Sequence, residues 1–256
     1  MDVSEAGSAS LELAATIAPL PTPARRAFDR LREMGFRHVQ LSASQPGLRP
    51  RELDCSARRD LLAVLRRREL SVSGVDLWIG PGDFLDPAKV DRAVAAALEA
   101  IELAADLGRY PVSLTLPGRE ADSAGSSPAL APAIAAVIEA AQMRDVPLAD
   151  HAIPVVQREY IGVGIDPAAW LARDEDPAGA VSRHVDRLVS LRLCDLLTSG
   201  LRGPIGDSQV GRLDVLAYKV AAGLAKTGRP LVVDARQWSD PWAGLAQTRE
   251  AWQNAG

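Results

Sequence analysis

The sequence predicts an α/β fold, a single-domain (β/α)8 TIM barrel, and three observations carry that prediction. Strand-like apolar runs alternate with helix-like segments along the whole chain, about eight of each, and such alternation argues for a parallel sheet with helices outside it. The length, 256 residues, suits one barrel of this kind. Several of the runs are apolar almost throughout, as strands buried on both faces are. A doubly wound open sheet competes, but no GxGxxG motif follows the first strand-like run.

Residues 1–10, MDVSEAGSAS, are small and polar and read as a flexible N-terminus; residues 11–256 form the barrel. Residues 11–17 make the first strand. Thr22 is placed to cap the next helix, with Pro23 at its first position, and residues 24–35 carry Ala27, Phe28, Leu31 and Met34 on one face. Residues 36–43 are the second strand, and residues 51–68 a basic amphipathic helix. The third strand spans 70–79, a long alanine-rich helix runs from Asp86 to about Leu107, and the fourth strand spans 110–117. GREADSAGSSP reads as a flexible surface loop, followed by a helix over 128–143. Residues 146–152 and 161–166 are the fifth and sixth strands. Residues 167–185 are helical in two pieces, split near Asp174 to Pro177. The seventh strand is LVSLRLCDL, residues 188–196, followed by a glycine-rich loop and a helix over 212–227. Residues 230–236 are the eighth strand and 240–253 the last helix.

Composition narrows the function classes. A hydrophobic content of 47% with 24% charged residues suits an ordinary soluble core. A net charge of −4 leaves no electrostatic footprint for nucleic acid. No signal peptide is visible at the start and no apolar run is long enough for a membrane helix, so a cytoplasmic location is expected, with no membrane partner. Two cysteines, Cys55 and Cys194, make no disulfide framework or metal motif. Trp238, Trp242 and Trp252 cluster near the C-terminus and would cover the barrel exterior or a contact in a homo-oligomer.

The chemistry centres on the seventh strand. Arg192 lies in the middle of an otherwise apolar run, and a charge there is costly unless paired, so acidic partners are expected. Asp150, Asp166, Asp195 and Asp234 fall near the ends of the fifth to eighth strands, where active sites of this fold lie. Converging carboxylates suit a hard divalent cation such as Mg2+ or Mn2+, or proton transfer at carbon. His151 is placed to bind substrate or act as acid or base; Arg202 lies in a loop where barrels often bind phosphate; Trp78 and Trp170 could wall a sugar pocket.

With those residues in view, the chain resembles the sugar phosphate isomerase/epimerase family, the xylose isomerase-like TIM barrels, over nearly its whole length. The family's fifth strand ends in a metal-binding glutamate, where VPLAD offers Asp150 with His151 beside it. Its sixth ends in a metal-binding aspartate, matched by Asp166 in IGVGID, but the substrate histidine three residues on is here Ala169. Its seventh carries a metal-binding histidine in an HxxD pattern, where RLCD supplies Arg192 and Asp195. Its eighth ends in a metal-binding glutamate that moves protons, where PLVVD supplies Asp234.

The resemblance implies a sugar isomerase or epimerase. Asp150 and Asp234 would transfer protons, Arg192 would polarise the carbonyl oxygen, and Asp166, Asp195, His151 and Arg202 would bind a sugar-like small molecule. The substitution at the seventh strand points away from a metal, because arginine has no lone pair to offer one. The favoured expectation is no cofactor, with Arg192 neutralising Asp150, Asp166 and Asp234. The alternative is a Mg2+ or Mn2+ ion held by those three aspartates. A catalytically degenerate barrel that binds a carbohydrate-like ligand, or serves as a scaffold, remains the competing function. An abasic-site endonuclease on the same barrel is disfavoured, since three histidines are too few for a multi-zinc centre.

Overall fold

Eight short runs of apolar residues form parallel strands: β1 (Leu13–Thr16), β2 (His38–Ser42), β3 (Ser71–Asp76), β4 (Val112–Leu114), β5 (Leu148–Asp150), β6 (Ile161–Ile165), β7 (Leu188–Leu193) and β10 (Leu231–Val233). They close into a barrel in the order β1-β10-β7-β6-β5-β4-β3-β2, as the alternation predicts. The computed structural model describes residues 11–118, 130–207 and 209–256. The expected flexible N-terminus and nearly all of the expected 118–128 loop lie outside the described residues.

Among the described residues the helices are α1 (Ala24–Glu33), α2 (Cys55–Arg67), α3 (Val90–Gly108), α4 (Leu130–Arg144), α5 (Pro167–Leu171), α6 (Pro177–Arg183), α7 (Val215–Ala225) and α8 (Pro241–Asn254). None is long and apolar enough to cross a membrane. The helix after β6 comes in two pieces, as expected: Pro177 opens α6, and the Asp176 carboxylate caps the amides of Ala178 and Gly179. Helix and strand faces meet in one apolar layer outside the barrel wall, filled by Phe28, Leu31, Leu41, Leu65, Ile101, Leu148 and Tyr218 among others.

Three local expectations are corrected. Thr22 does not cap α1, because Pro23 takes the cap position with extended backbone and makes no side-chain cap. The helix expected over 51–68 is broken: Pro50–Glu52 form a 3-10 turn, and α2 starts anew after Asp54, whose carboxylate accepts the Ala57 amide. The seventh strand ends at Leu193. Asp195–Leu196 leave the barrel as β8 and pair antiparallel with β9 (Arg202–Gly203), so the glycine-rich segment doubles back over the barrel mouth.

Candidate active site

Side chains alternate faces along a strand, and in-register neighbours share a face, so the ladder registers say which residues point into the barrel. One belt runs Ser42–Asp76–Ser113–Ala149–Gly162 through β2 to β6, and continues at Gly164–Ser190 and Arg192–Val232. Asp76, Ser113, Ser190 and Arg192 therefore face inward. Two residues beyond the belt, His151, Asp166 and Asp234 face inward as well. Low in this interior a polar layer forms: Gln40 Nε2 donates to Ser113 Oγ at 3.3 Å, and Ser113 Oγ to Ser190 Oγ at 3.5 Å.

Above it lies a closed network of charges. Arg192 donates through Nη2 to Asp76 at 2.9 Å and through Nη1 to Asp166 at 3.2 Å, and its Nε is 3.7 Å from Asp234. Arg202, carried in by β9, donates to Asp166 at 2.9 Å and to Asp234 at 2.8 Å. Arg236 bonds Asp76 at 3.1 Å and grips Asp234 through Nε at 2.7 Å and through Nη2. Three carboxylates thus meet three guanidinium groups, Asp76 and Asp166 each touching two of them and Asp234 all three, and the charges balance. The Cys194 thiol donates to Asp166 and accepts from Arg202 Nη2. Burial pushes that thiol far up, so it stays a neutral thiol. Tyr218 of α7 donates to the Arg192 carbonyl at 2.9 Å and anchors this strand from outside.

The network sets the protonation states. Burial pushes the Asp234 carboxyl up, but Arg236, Arg192 and Arg202 outweigh it and hold it below the ordinary carboxylate range. Asp166 is lowered in the same way, with Arg202 and Arg192 overcoming its burial. For Asp76 burial prevails over Arg236 and Arg192, and the carboxyl is raised.

His151 faces the same interior. It is 5% exposed, and neither ring nitrogen has a hydrogen-bond partner. A Cβ at Gly164 would lie 2.4 Å from its ring, so only glycine at that position leaves the imidazole its place. Burial, with Arg192 beside it, holds the ring well below the ordinary histidine value, so it is neutral near pH 7.

Asp150 and Asp195 are not part of the network. Asp150 is in register with Leu114 and Val163, the outward-facing set. Its Oδ1 accepts the amides of Leu116 and Ala152, and its Oδ2 meets Arg158 at 3.2 Å. The expectation that Arg192 neutralises Asp150 is therefore corrected: strand alternation turns Asp150 outward and presents its neighbour His151. Asp195 Oδ1 accepts the amides of Arg212 and Leu213 and ties down the loop that follows β9. Trp170 is buried in the apolar core beside His184, ring centroids 6.2 Å apart. Trp78 is 58% exposed and stacks on the Arg236 guanidinium at 4.1 Å, so it does border the charged layer. Trp238, Trp242 and Trp252 are buried against the helices.

Asp76 and Arg236, members of the charged layer, and Arg158, the partner of Asp150, are positions that sequence reasoning missed. Asp76 ends SVSGVD, and a carboxylate in such a buried run carries the same signal that singled out Arg192. Arg236 stands two residues after Asp234 and so shares its face. Arg158 lies in an irregular segment with no pattern to mark it.

As a donor set these side chains do not suit a divalent cation. Such an ion takes oxygen lone pairs converging on one point. Here the oxygens of Asp76, Asp166 and Asp234 converge on guanidinium N–H groups, and the space between them is filled by Arg192. Among the described residues no group of three or more His, Cys, Asp or Glu side chains is arranged to hold a metal.

A closed parallel barrel with its polar residues gathered inside the C-terminal ends of the strands defines a class, and comparison with known proteins gives the family. Residues 28–210 match the family described as xylose isomerase-like TIM barrel, and the chain belongs to it. Solved structures agree on the fold. A xylose isomerase domain protein from Alicyclobacillus acidocaldarius superposes with a TM-score of 0.68 at 17% identity, covering 95% of this chain and 97% of that one. The D-psicose 3-epimerase of Clostridium cellulolyticum H10, solved with D-tagatose, gives 0.69 at 12% identity, covering 94% and 99%. A xylose isomerase-like TIM barrel protein from Mycobacterium smegmatis, in complex with magnesium, gives 0.65 at 17% identity, covering 96% and 97%. No curated protein sequence matches the chain.

Proposed function

We propose that this protein binds a small sugar or related hydroxy-carbonyl compound at the C-terminal mouth of the barrel and moves a proton on its carbon without a metal. The observation that carries the reading is His151: buried, inward-facing, neutral, and without a partner on either ring nitrogen. A neutral imidazole has the lone pair that proton abstraction beside a carbonyl requires. Within that charge-balanced layer the Nε–H groups of Arg192 and Arg202 have no hydrogen-bond partner, and they supply donors for the enediolate oxygen that develops, the task a cation performs in other enzymes. The exposed face of Trp78, backed by Arg236, offers an apolar platform for the C–H face of a sugar ring. Proton transfer is thereby assigned to His151 in place of Asp150 and Asp234. Asp150 has both oxygens occupied, and Asp234, held low by its arginines, is a weak base.

The test is proton exchange into D2O, followed by NMR, across a panel of ketoses and ketose phosphates. Exchange with at least one compound is expected, unaffected by chelator and reduced by about a hundredfold or more in His151→Gln, the range general-base catalysis contributes. No exchange with any of them, with or without added Mg2+ or Mn2+, would overturn the proposal.

A second reading is favoured by the charge balance itself. A network in which three acids balance three arginines calls for no ionic ligand. A catalytically degenerate barrel that binds a carbohydrate-like molecule, or acts as a scaffold, would show ligand-induced thermal shifts without exchange, or neither.

A further inference from the structure

Helix α7 presents an apolar ridge to solvent. Leu216 is 53% exposed, Val220 53% and Leu224 73%. Spaced four residues apart, they stand in one row along the helix. The helix is already pinned on its other sides. Tyr218, Ala221 and Ala222 are buried, the Tyr218 hydroxyl is bonded to Arg192, and Lys219 Nζ donates to the carbonyls of Trp252 and Ala255. The ridge is therefore the outer surface of a rigid element.

From this row we infer that α7 pairs with α7 of a second copy of this chain, antiparallel, about a two-fold axis through Val220. The argument is self-complementarity. Val220 is the midpoint in sequence between Leu216 and Leu224, so the axis sets Leu216 of one copy against Leu224 of the other, and Val220 against itself. It is also the midpoint between Asp214, which caps the helix N-terminus, and Lys226 at its C-terminal cap. The acidic end of each helix is thereby brought toward the basic end of its mate, and the helix dipoles run in opposite directions. Rows spaced by four residues are inclined alike on both helices and run alongside each other when the axes cross at roughly −50°. The smaller residues Ala217 and Gly223 beside the ridge leave the rows clear to meet. An isologous contact of this kind closes at two copies.

Three exposed apolar side chains per copy make a modest contact, so association in the micromolar range is expected. Sedimentation velocity of the full chain between about 1 and 300 µM would read it. Val220→Glu places two carboxylates on the axis and should weaken association by about a hundredfold or more, with an unchanged circular dichroism spectrum. Geometry is read by cysteine cross-linking under diamide in a Cys55→Ser background, which removes the exposed native thiol. Val220→Cys should cross-link to itself; Leu216→Cys and Leu224→Cys should each fail alone and cross-link when mixed. A dimer dissolved by Val220→Glu with that cross-linking pattern is the expected result. A monomer at every concentration overturns the inference and leaves the ridge to a different protein. A dimer that survives Val220→Glu, or one in which Val220→Cys does not self-cross-link, overturns it as well.

Discussion

Replacing Arg192 with methionine tests the charged layer directly. The methionine fills similar volume but leaves three carboxylates facing two guanidinium groups, inside a barrel where these groups are almost fully buried. Asp76 loses a 2.9 Å partner, Asp166 one at 3.2 Å, and Asp234 a cation 3.7 Å away. Removing one member of a buried ion pair typically costs roughly 3–5 kcal/mol, because the remaining charge is left uncompensated. At about 2–4 °C per kcal/mol for a chain of this size, the melting temperature should fall by roughly 6–20 °C. The loss should also depend on pH. The excess negative charge raises carboxyl pKa values in the folded variant above their unfolded values, and such groups stabilise the fold when protonated. The deficit at pH 7 should therefore shrink as the pH is lowered toward 5. Chemical denaturation of both proteins across that range reads out both effects. A deficit below about 1 kcal/mol, or one independent of pH, would refute the view that Arg192 balances this acidic cluster.

His151 supplies a pH dependence of the wild type. Its folded pKa lies below the unfolded value of 6.5, so its contribution to stability is present above that value and is lost as the pH falls toward the folded pKa. His151→Gln should flatten the stability curve just below pH 6.5, and an unchanged slope in denaturation midpoints would refute the buried neutral ring. Gly164→Ala puts a Cβ 2.4 Å from the imidazole; the ring must move, with an expected cost of about 1–3 kcal/mol and loss of proton exchange. Full activity in that variant would exclude His151 as the proton-transfer group. Exhaustive chelation, checked by elemental analysis, should leave exchange rates unchanged, and restoration by Mn2+ of an activity lost to the chelator would show that a cation is required.

Much of the fold was readable in the chain because the signals are local. Apolar runs separated by proline, glycine and capping aspartates mark strand and helix order, and the Asp174 to Pro177 break correctly divides α5 from α6. The seventh strand shows the limit. Nothing local says that the chain leaves the barrel at Cys194 and returns through β9, yet that excursion is what carries Arg202 onto Asp166 and Asp234.

For the site, the sequence by itself determined that Arg192 must have acidic partners, since a buried guanidinium in an apolar strand is untenable alone. Only the tertiary structure decided which acids these are. Arg192 meets Asp76 across 116 positions of sequence, and Arg236 meets Asp76 across 160. The choice between Asp150 and His151 rested on a single residue of strand phase. Because successive side chains of a strand point to opposite faces, closure of the barrel in this register turned the aspartate toward the helices and the imidazole toward the centre.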